Sequence, residues 1–135
     1  MKILVDTNVF LDVLLAREKF LIPSQQVCTW CEERPGSGWV AWHTLSNLSF
    51  IGNKLAGKKR TTFVLDHILD CFEVAPTSSE AARASRSYGF NDFEDALQAA
   101  AAVVCKADWI ITRNQADFKK SPIKAISPKA FMAQH

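Results

Sequence analysis

Residues 2–8 read KILVDTN, a lysine, three consecutive apolar side chains at Ile3, Leu4 and Val5, then a carboxylate and two small polar groups. An unbroken apolar run this short suits a strand buried on both faces, as in a parallel sheet, and Asp6 marks the point where that strand leaves the core. Thr7 or Asn8 can then cap a helix that carries Val9, Phe10, Val13 and Leu14 on one side.

Outward from this start, strands and helices alternate. A helical pattern over about Phe20 to Glu33 ends at the breakers Arg34-Pro35-Gly36-Ser37-Gly38, and GWVAW (38–42) reads as a strand. Helical spacing of Leu45, Leu48, Phe50, Ile51 and Leu55 follows, stopped at Ala56-Gly57. A helix from Thr61 to Cys71 leads into a strand in FEVAP (72–76), and Thr77-Ser78-Ser79-Glu80 reads as a capping box for a helix to about Ser87. Asn91 to Lys106 is a strong helical segment with an acidic first turn, followed by strand DWIIT (108–112). A short strand near Ala125-Ile126 and a final helical turn opened by Ser127-Pro128 close the pattern. Such alternation predicts a three-layer α/β/α sandwich around a mainly parallel sheet of four to five strands, because parallel neighbours need crossover helices.

Composition agrees with this class. The 135 residues fit one domain, and 48% hydrophobic with 22% charged residues describes a globular chain. No segment resembles a membrane span, and the apolar run cut off at Asp6 is too short for a secretory signal, so a cytoplasmic protein is expected. Cys28 and Cys31 form a C-x-x-C without a second pair at zinc-finger spacing; with Cys71 and Cys105 they read as buried thiols. A net charge of +2 means that any nucleic-acid affinity must come from local patches and metal ions.

Ligand crevices in parallel sheets lie beyond the carboxyl ends of the strands. The residues there are Asp6, Thr7 and Asn8 after the first strand, then His43, Thr44, Ser46 and Asn47 after GWVAW. Asp92, Glu94 and Asp95 stand in the first turn of the Ala-rich helix, and Arg113, Asn114 and Asp117 follow DWIIT, which ends in Thr112. Carboxylates gathered without basic partners repel one another, and a divalent cation is the usual remedy. Hard oxygen ligands suit Mg²⁺ or Mn²⁺, and phosphodiester hydrolysis is the reaction such a site fits.

DTNVFLDVLL at the start, WHTLSNL in the middle, and NDFEDALQAAAA followed by DWIITRNQADF together resemble a PIN domain, of the branch with an H-T-x-x-N middle motif. The resemblance runs from Lys2 to about Phe131, so that residues 1–135 are expected to be a single PIN-like domain. It implies a metal-dependent ribonuclease acting on RNA, in many small members the toxin of a VapBC-type pair, with a homodimer and an antitoxin as partners. By residue match it implies Asp6, Asp95 and Asp117 as metal-binding acids, with Thr112 and Asn114 as polar helpers. Asn47 falls where many members carry Glu. It keeps an oxygen ligand but no charge, which leaves a second reading open, a catalytically impaired RNA- or protein-binding module. A haloacid-type phosphatase fits less well, since Asn8 stands where its second Asp belongs.

Each candidate also has a plain structural reading. Asp6-Thr7-Asn8 can be a helix cap, and Asp92 and Glu94 dipole-complementing residues. Asp92 and Asp95 share a helical face that Glu94 does not. Asp12, four residues after Asn8 on the same face, either supports the site residues from behind or is solvated surface, and reads as surface. His43 is either a proton carrier or substrate contact, or a capping residue. Trp39 and Trp109 read as core, Trp42 as a stacking candidate at the crevice. Lys54 to Arg60, with Arg113, Lys119 and Lys120, read either as a phosphate-holding surface or as a solvated face.

Overall fold

A computed structural model describes all residues, 1–135. The chain forms β1 (Ile3–Val5), α1 (Thr7–Leu14), α2 (Leu21–Glu32), β2 (Gly38–Val40), α3 (Trp42–Leu55), α4 (Lys58–Cys71) and β3 (Glu73–Val74). It continues through α5 (Ser79–Arg86), α6 (Phe93–Val104), β4 (Trp109–Ile111), a 3₁₀ turn (Gln115–Phe118), β5 (Ala125–Ile126) and α7 (Pro128–Gln134). All strand pairs are parallel, in the order β3-β2-β1-β4-β5. The expected α/β class and parallel sheet are those observed, but the strands are shorter than expected, and β2 stops at Val40, so that Trp42 opens α3 instead of ending a strand.

The apolar run that opens the chain has two destinations, because successive strand side chains point to opposite faces. Ile3 and Val5 join Ile111 in a core with Val9, Phe10 and Leu14 of α1, Val27 and Trp30 of α2, Leu48 of α3, Ile68 of α4 and Phe131 of α7. Leu4 and Ile110 face the other way, into Ala99, Ala102 and Cys105 of α6 and Phe118. Alanines on α6 let that helix lie close to the sheet, while edge-to-face aromatic pairs fill the first core, Phe10–Phe72 and Trp30–Phe131 each at 5.1 Å. Trp30 is thus the buried tryptophan. Trp39 and Trp109, expected in the core, are only half-buried at its margins. The Trp39 indole N–H reaches out to the Gly36 carbonyl at 3.1 Å, and the Lys2 ammonium lies over its ring. Of the thiols expected to be buried, Cys31 and Cys105 are; Cys28 and Cys71 are half-buried at the margin of the first core, Cys28 lining the groove between α2 and α4.

Several boundaries move for local reasons. Asp6 itself caps α1, its carboxylate accepting the Thr7 N–H, so neither Thr7 nor Asn8 is the cap. Gly57, at φ +89°, turns the chain so tightly that α4 starts at Lys58 rather than Thr61. Ser78 caps α5 by accepting the Ala81 N–H at 3.0 Å, displacing Thr77 from the expected capping box. Asp92 caps α6, which therefore begins at Phe93 and not at Asn91. No helix is long and apolar enough to cross a membrane.

Strand order reverses beside β1, since β2 and β3 lie on one side and β4 and β5 on the other. Chain leaving β1 and β4 therefore departs in different directions and opens a crevice at their carboxyl ends. Asp6 and Thr112 occupy that position.

Candidate active site

At the centre of the crevice Asp6 is 3% exposed, and both of its carboxylate oxygens are engaged. Oδ1 accepts the Thr7 N–H at 2.7 Å, while Oδ2 accepts the Thr112 hydroxyl at 2.7 Å and the Asn8 amide at 3.1 Å. Thr112 Oγ1 in turn accepts the Asn114 N–H at 3.1 Å, which fixes the chain after β4 against the start of α1. Asn114 contributes its backbone here; its side chain is exposed.

A second network joins three helices beside this one. Gln98, fully buried on α6, directs its Nε2 at Thr44 Oγ1 (2.7 Å), Thr7 Oγ1 (3.0 Å) and Glu94 Oε2 (3.0 Å). The two threonine hydroxyls are 2.8 Å apart, and His43 Nε2 lies 2.7 Å from Glu94 Oε2. The first turns of α1, α3 and α6 are thereby tied into one polar cluster. Buried polar groups need such partners, and these bonds hold the three helix starts in one arrangement, although they leave the buried Gln98 Oε1 without a partner.

Acids accumulate on the open side. Asp92, Glu94 and Asp95 bring carboxylate oxygens within 4.8 Å of one another. Asp95 and Asp117 share a cleft of about 360 Å³ with Asp92, Asn91, Lys119 and Lys120. Burial, and then the charges of Asp6, Asp92, Glu94 and Asp117, push the Asp95 carboxyl up to about 7. Burial also raises Asp6, to about 6, with Glu94 adding to the rise and Thr112, the Thr7 N–H and His43 opposing it. Glu94 is different: burial pushes it up, but hydrogen bonds from His43 and Gln98 outweigh that and leave it below the usual carboxylate range. Asp6, Asp92, Asp95 and Asp117 have no Lys or Arg salt-bridge partner, and Lys120 gives its ammonium to the Gly89 carbonyl at 3.2 Å.

A family model for the PIN domain matches residues 2–116. The chain belongs to the PIN-domain family. No curated protein matches it in sequence. Its fold is similar to VapBC2 from Rickettsia felis, a structure bound to a DNA fragment from their promoter, at 16% identity and TM-score 0.71, covering 94% of this chain and 98% of that one. A toxin-antitoxin complex from Klebsiella pneumoniae is similar at 24% identity and TM-score 0.69, over 94% and 98% of the two chains. FitAcB from Neisseria gonorrhoeae follows at 18% identity and TM-score 0.64, again over 94% and 98%. At these identities the likeness is one of fold.

Within the PIN domain the expected site residues meet unevenly. Asp95 feels the charges of Asp6 and Asp117, but the carboxylate oxygens of these three do not gather within 4.8 Å of one another as those of Asp92, Glu94 and Asp95 do. Thr7, Asn8, Thr44, Thr112 and His43 all enter the networks around them. Asn47, one turn after Thr44 on α3, is half-buried and makes no side-chain hydrogen bond to the cluster.

Four sequence readings need correction. Asp12 is not surface: it is fully buried and takes a two-pronged pair from Arg113 (2.7 and 3.0 Å), with Ser24 and Arg17 at 3.1 and 3.4 Å. Arg113 is consequently spoken for, its guanidinium also lying 3.9 Å over the Phe20 ring, so it braces α1 and α2 rather than reaching into the crevice. Arg60, read as part of a basic patch, donates to the Leu14 and Val13 carbonyls and caps the end of α1. Glu94 points into the site, not away from it. Asp92, as the extended cap, lies outside the helical repeat, and Glu94 shares its face of α6 with Gln98, four residues on.

Sequence reasoning gives no role to Gln98. Its signal is nonetheless present, since it is the one polar residue between Ala96 and Cys105. A polar side chain in an otherwise apolar helical run faces either solvent or a buried partner, and the partners are visible only in three dimensions.

Proposed function

We propose that this PIN domain is a Mg²⁺- or Mn²⁺-dependent ribonuclease, the toxin of a toxin-antitoxin pair, cutting RNA at the crevice beyond β1 and β4. The observation that carries the reading is the set of uncompensated acids: Asp95, pushed up to about 7 by burial and by Asp6, Asp92, Glu94 and Asp117, has no basic partner. A donor set made of carboxylate oxygens fits a hard divalent cation. Asp6, Asp95 and Asp117 would hold it, with the oxygens of Asp92 and Glu94 at hand. The cation supplies a bound water of lowered pKa and charge neutralisation at the phosphate.

The chain's own side chains have separate tasks. Thr112, Asn8 and the Thr7 N–H fix the Asp6 carboxylate, so that its free lone pairs keep one direction. Gln98 and Thr44 hold α1, α3 and α6 in register around it. His43, at 2.7 Å from Glu94, is positioned at the rim to carry a proton or contact a phosphate oxygen. Trp42 beside it is 65% exposed and offers a ring on which a base can stack.

RNA degradation measured with Mg²⁺, Mn²⁺ and EDTA tests the proposal. Asp6→Asn and Asp95→Asn should each abolish cleavage while circular dichroism stays native; unchanged cleavage by both would refute it. The toxin role rests on the fold likeness to complexes described as VapBC2 and toxin-antitoxin assemblies. Its test is co-purification with the product of the adjacent reading frame, and size-exclusion chromatography tests the homodimer. The second reading, an RNA- or protein-binding PIN fold without catalysis, is favoured by Asn47, which brings no charge and no hydrogen bond to the acids. Asn47→Glu separates the two. Cleavage that appears only in the Glu variant supports the binding module, and strong metal-dependent cleavage by the wild type excludes it.

A further inference from the structure

At the opposite end of the strands, a second group of ligating side chains converges that the acidic crevice does not use. Ligand atoms of Glu32, His67 and Cys71 lie within 4.8 Å of one another, Glu32 Oε1 at 2.7 Å and Cys71 Sγ at 3.9 Å from His67 Nε2. Cys28 lines the same groove as Glu32 and His67. It stands one helical turn before Glu32 and outside the 4.8 Å trio, its thiol pushed up by burial. Two helices supply the four groups with the same spacing: Cys28 and Glu32 are i and i+4 on α2, His67 and Cys71 are i and i+4 on α4. That spacing sets each pair on one helical face, one turn apart.

We propose that Glu32, His67 and Cys71, joined by Cys28 turning in from one helical turn earlier on α2, bind one transition-metal ion of the zinc class, clamping α2 to α4 at the amino-terminal end of the strands. Two sulfurs, one imidazole nitrogen and one carboxylate oxygen make a borderline-soft donor set, unlike the all-oxygen set of the crevice. The geometry is close to what such an ion requires. With Zn–S of about 2.3 Å and Zn–N of about 2.0 Å, a tetrahedral site separates sulfur from nitrogen by about 3.5 Å. The observed 3.9 Å needs only a small contraction, and the His67–Glu32 pair has to open from a hydrogen-bonded 2.7 Å. Both are side-chain adjustments at groups that are partly exposed.

An ordinary surface ion pair accounts for His67 and Glu32 alone, and such pairs contribute little to stability. It gives no reason for the Cys71 thiol to stand beside them, with a second thiol one helical turn away at Cys28. Nor does a cation already occupy it: Arg60 lines the groove, but its guanidinium bonds to the carbonyls of Val13 and Leu14. The location is fixed by the chain. Cys71 stands two residues before β3, and Gly38 at the start of β2 packs so closely on Cys31 and Phe72 that a Cβ there would meet them at 2.7–2.8 Å. The site is thus remote from Asp6, at the far end of the strands, and stands or falls independently of the nuclease reading.

The test uses the full chain, reduced and stripped of metal, titrated with Co²⁺ and followed by absorbance. Binding of one Co²⁺ per chain with a thiolate-to-cobalt charge-transfer band in the near ultraviolet is expected, and Zn²⁺ should bleach it. Carboxylate binding at the crevice gives no such band, so Asp6→Asn and Asp95→Asn should leave it intact. His67→Gln and Cys71→Ser should each weaken binding at least about tenfold, the loss already typical when an outer partner of a metal ligand is removed. His67 is exposed, so its variant should fold even if the cysteine variant does not. Absence of the band overturns the proposal, as does a band that survives His67→Gln at unchanged affinity. Half an equivalent of metal with metal-driven dimerisation also overturns it, since the ion would then bridge two chains.

Discussion

Replacing Asp6 with Asn should stabilise the metal-free protein at pH 8, although Asp6 lies at the heart of the proposed site. The Asp6 carboxyl is 3% exposed and titrates at about 6 instead of 3.8, chiefly because burial penalises its charge. A folded state that holds a proton more tightly than the unfolded chain is favoured at low pH. Its advantage is complete below about pH 4 and is lost as pH rises through about 6. A rise of about two pKa units corresponds to roughly 3 kcal/mol of stability missing above pH 7. Asn carries no charge and so escapes that loss. It caps a helix about as well as Asp. Its own amide nitrogen, however, takes the place of the Oδ2 that accepts the Asn8 amide at 3.1 Å and the Thr112 hydroxyl at 2.7 Å; the hydroxyl can turn to accept instead, so the loss is the Asn8 bond, about 1 kcal/mol. The net expectation is a gain of roughly 1–2 kcal/mol at pH 8 that shrinks to nothing or reverses near pH 4. Urea unfolding in EDTA from pH 4 to 8 measures it, and repeating the series with Mn²⁺ should reverse the order at pH 8 by stabilising the wild type alone. A variant less stable than wild type at pH 8 without metal, or a difference that does not change with pH, would show that Asp6 is not held ionised against its surroundings.

Other perturbations probe the frame around the site. Asp12→Ala strands Arg113 beside a buried vacancy and should cost about 3–5 kcal/mol in urea unfolding; a loss below about 1 kcal/mol would mean that the 2.7 and 3.0 Å contacts are not maintained in solution. Gly52→Ala puts a Cβ 2.6 Å from Thr61 Oγ1 and 2.7 Å from Leu14 Cδ2, so α3 and α4 must part. The expected cost is about 1–3 kcal/mol by thermal or urea unfolding, and a neutral variant would contradict that close approach. Glu94→Gln removes a charge that raises both Asp6 and Asp95. The lowest pH at which Mn²⁺ raises the melting temperature should therefore fall, and an unchanged onset would argue against coupling between these acids.

Much of this architecture is legible in the chain itself. Strands of three apolar residues such as Ile3–Val5 can be satisfied only between two layers, which is why the parallel α/β class follows from pattern alone. The breaker Gly57 and the cap-and-proline pair Ser127-Pro128 likewise announce their turns. The acids after each strand are visible as candidates, because a parallel sheet gathers its carboxyl ends on one edge. Less visible is where each helix takes up its repeat. With Asp92 outside α6 as its cap, Glu94 changes from a bystander into the partner of His43 and Gln98.

What the sequence determined by itself was local and periodic: which runs are strands, which faces are apolar, and where carboxylates can emerge. What the tertiary structure alone decided was the pairing of polar groups far apart in the chain. Asp12 with Arg113, Gln98 with Thr7, Gln98 with Thr44, and Glu32 with His67 are separated by 101, 91, 54 and 35 positions respectively. No local pattern encodes such partners. Burial drives the first three, since a polar group withdrawn from water is costly unless the fold brings a partner beside it, as it does for Gln98 Nε2 but not for Gln98 Oε1.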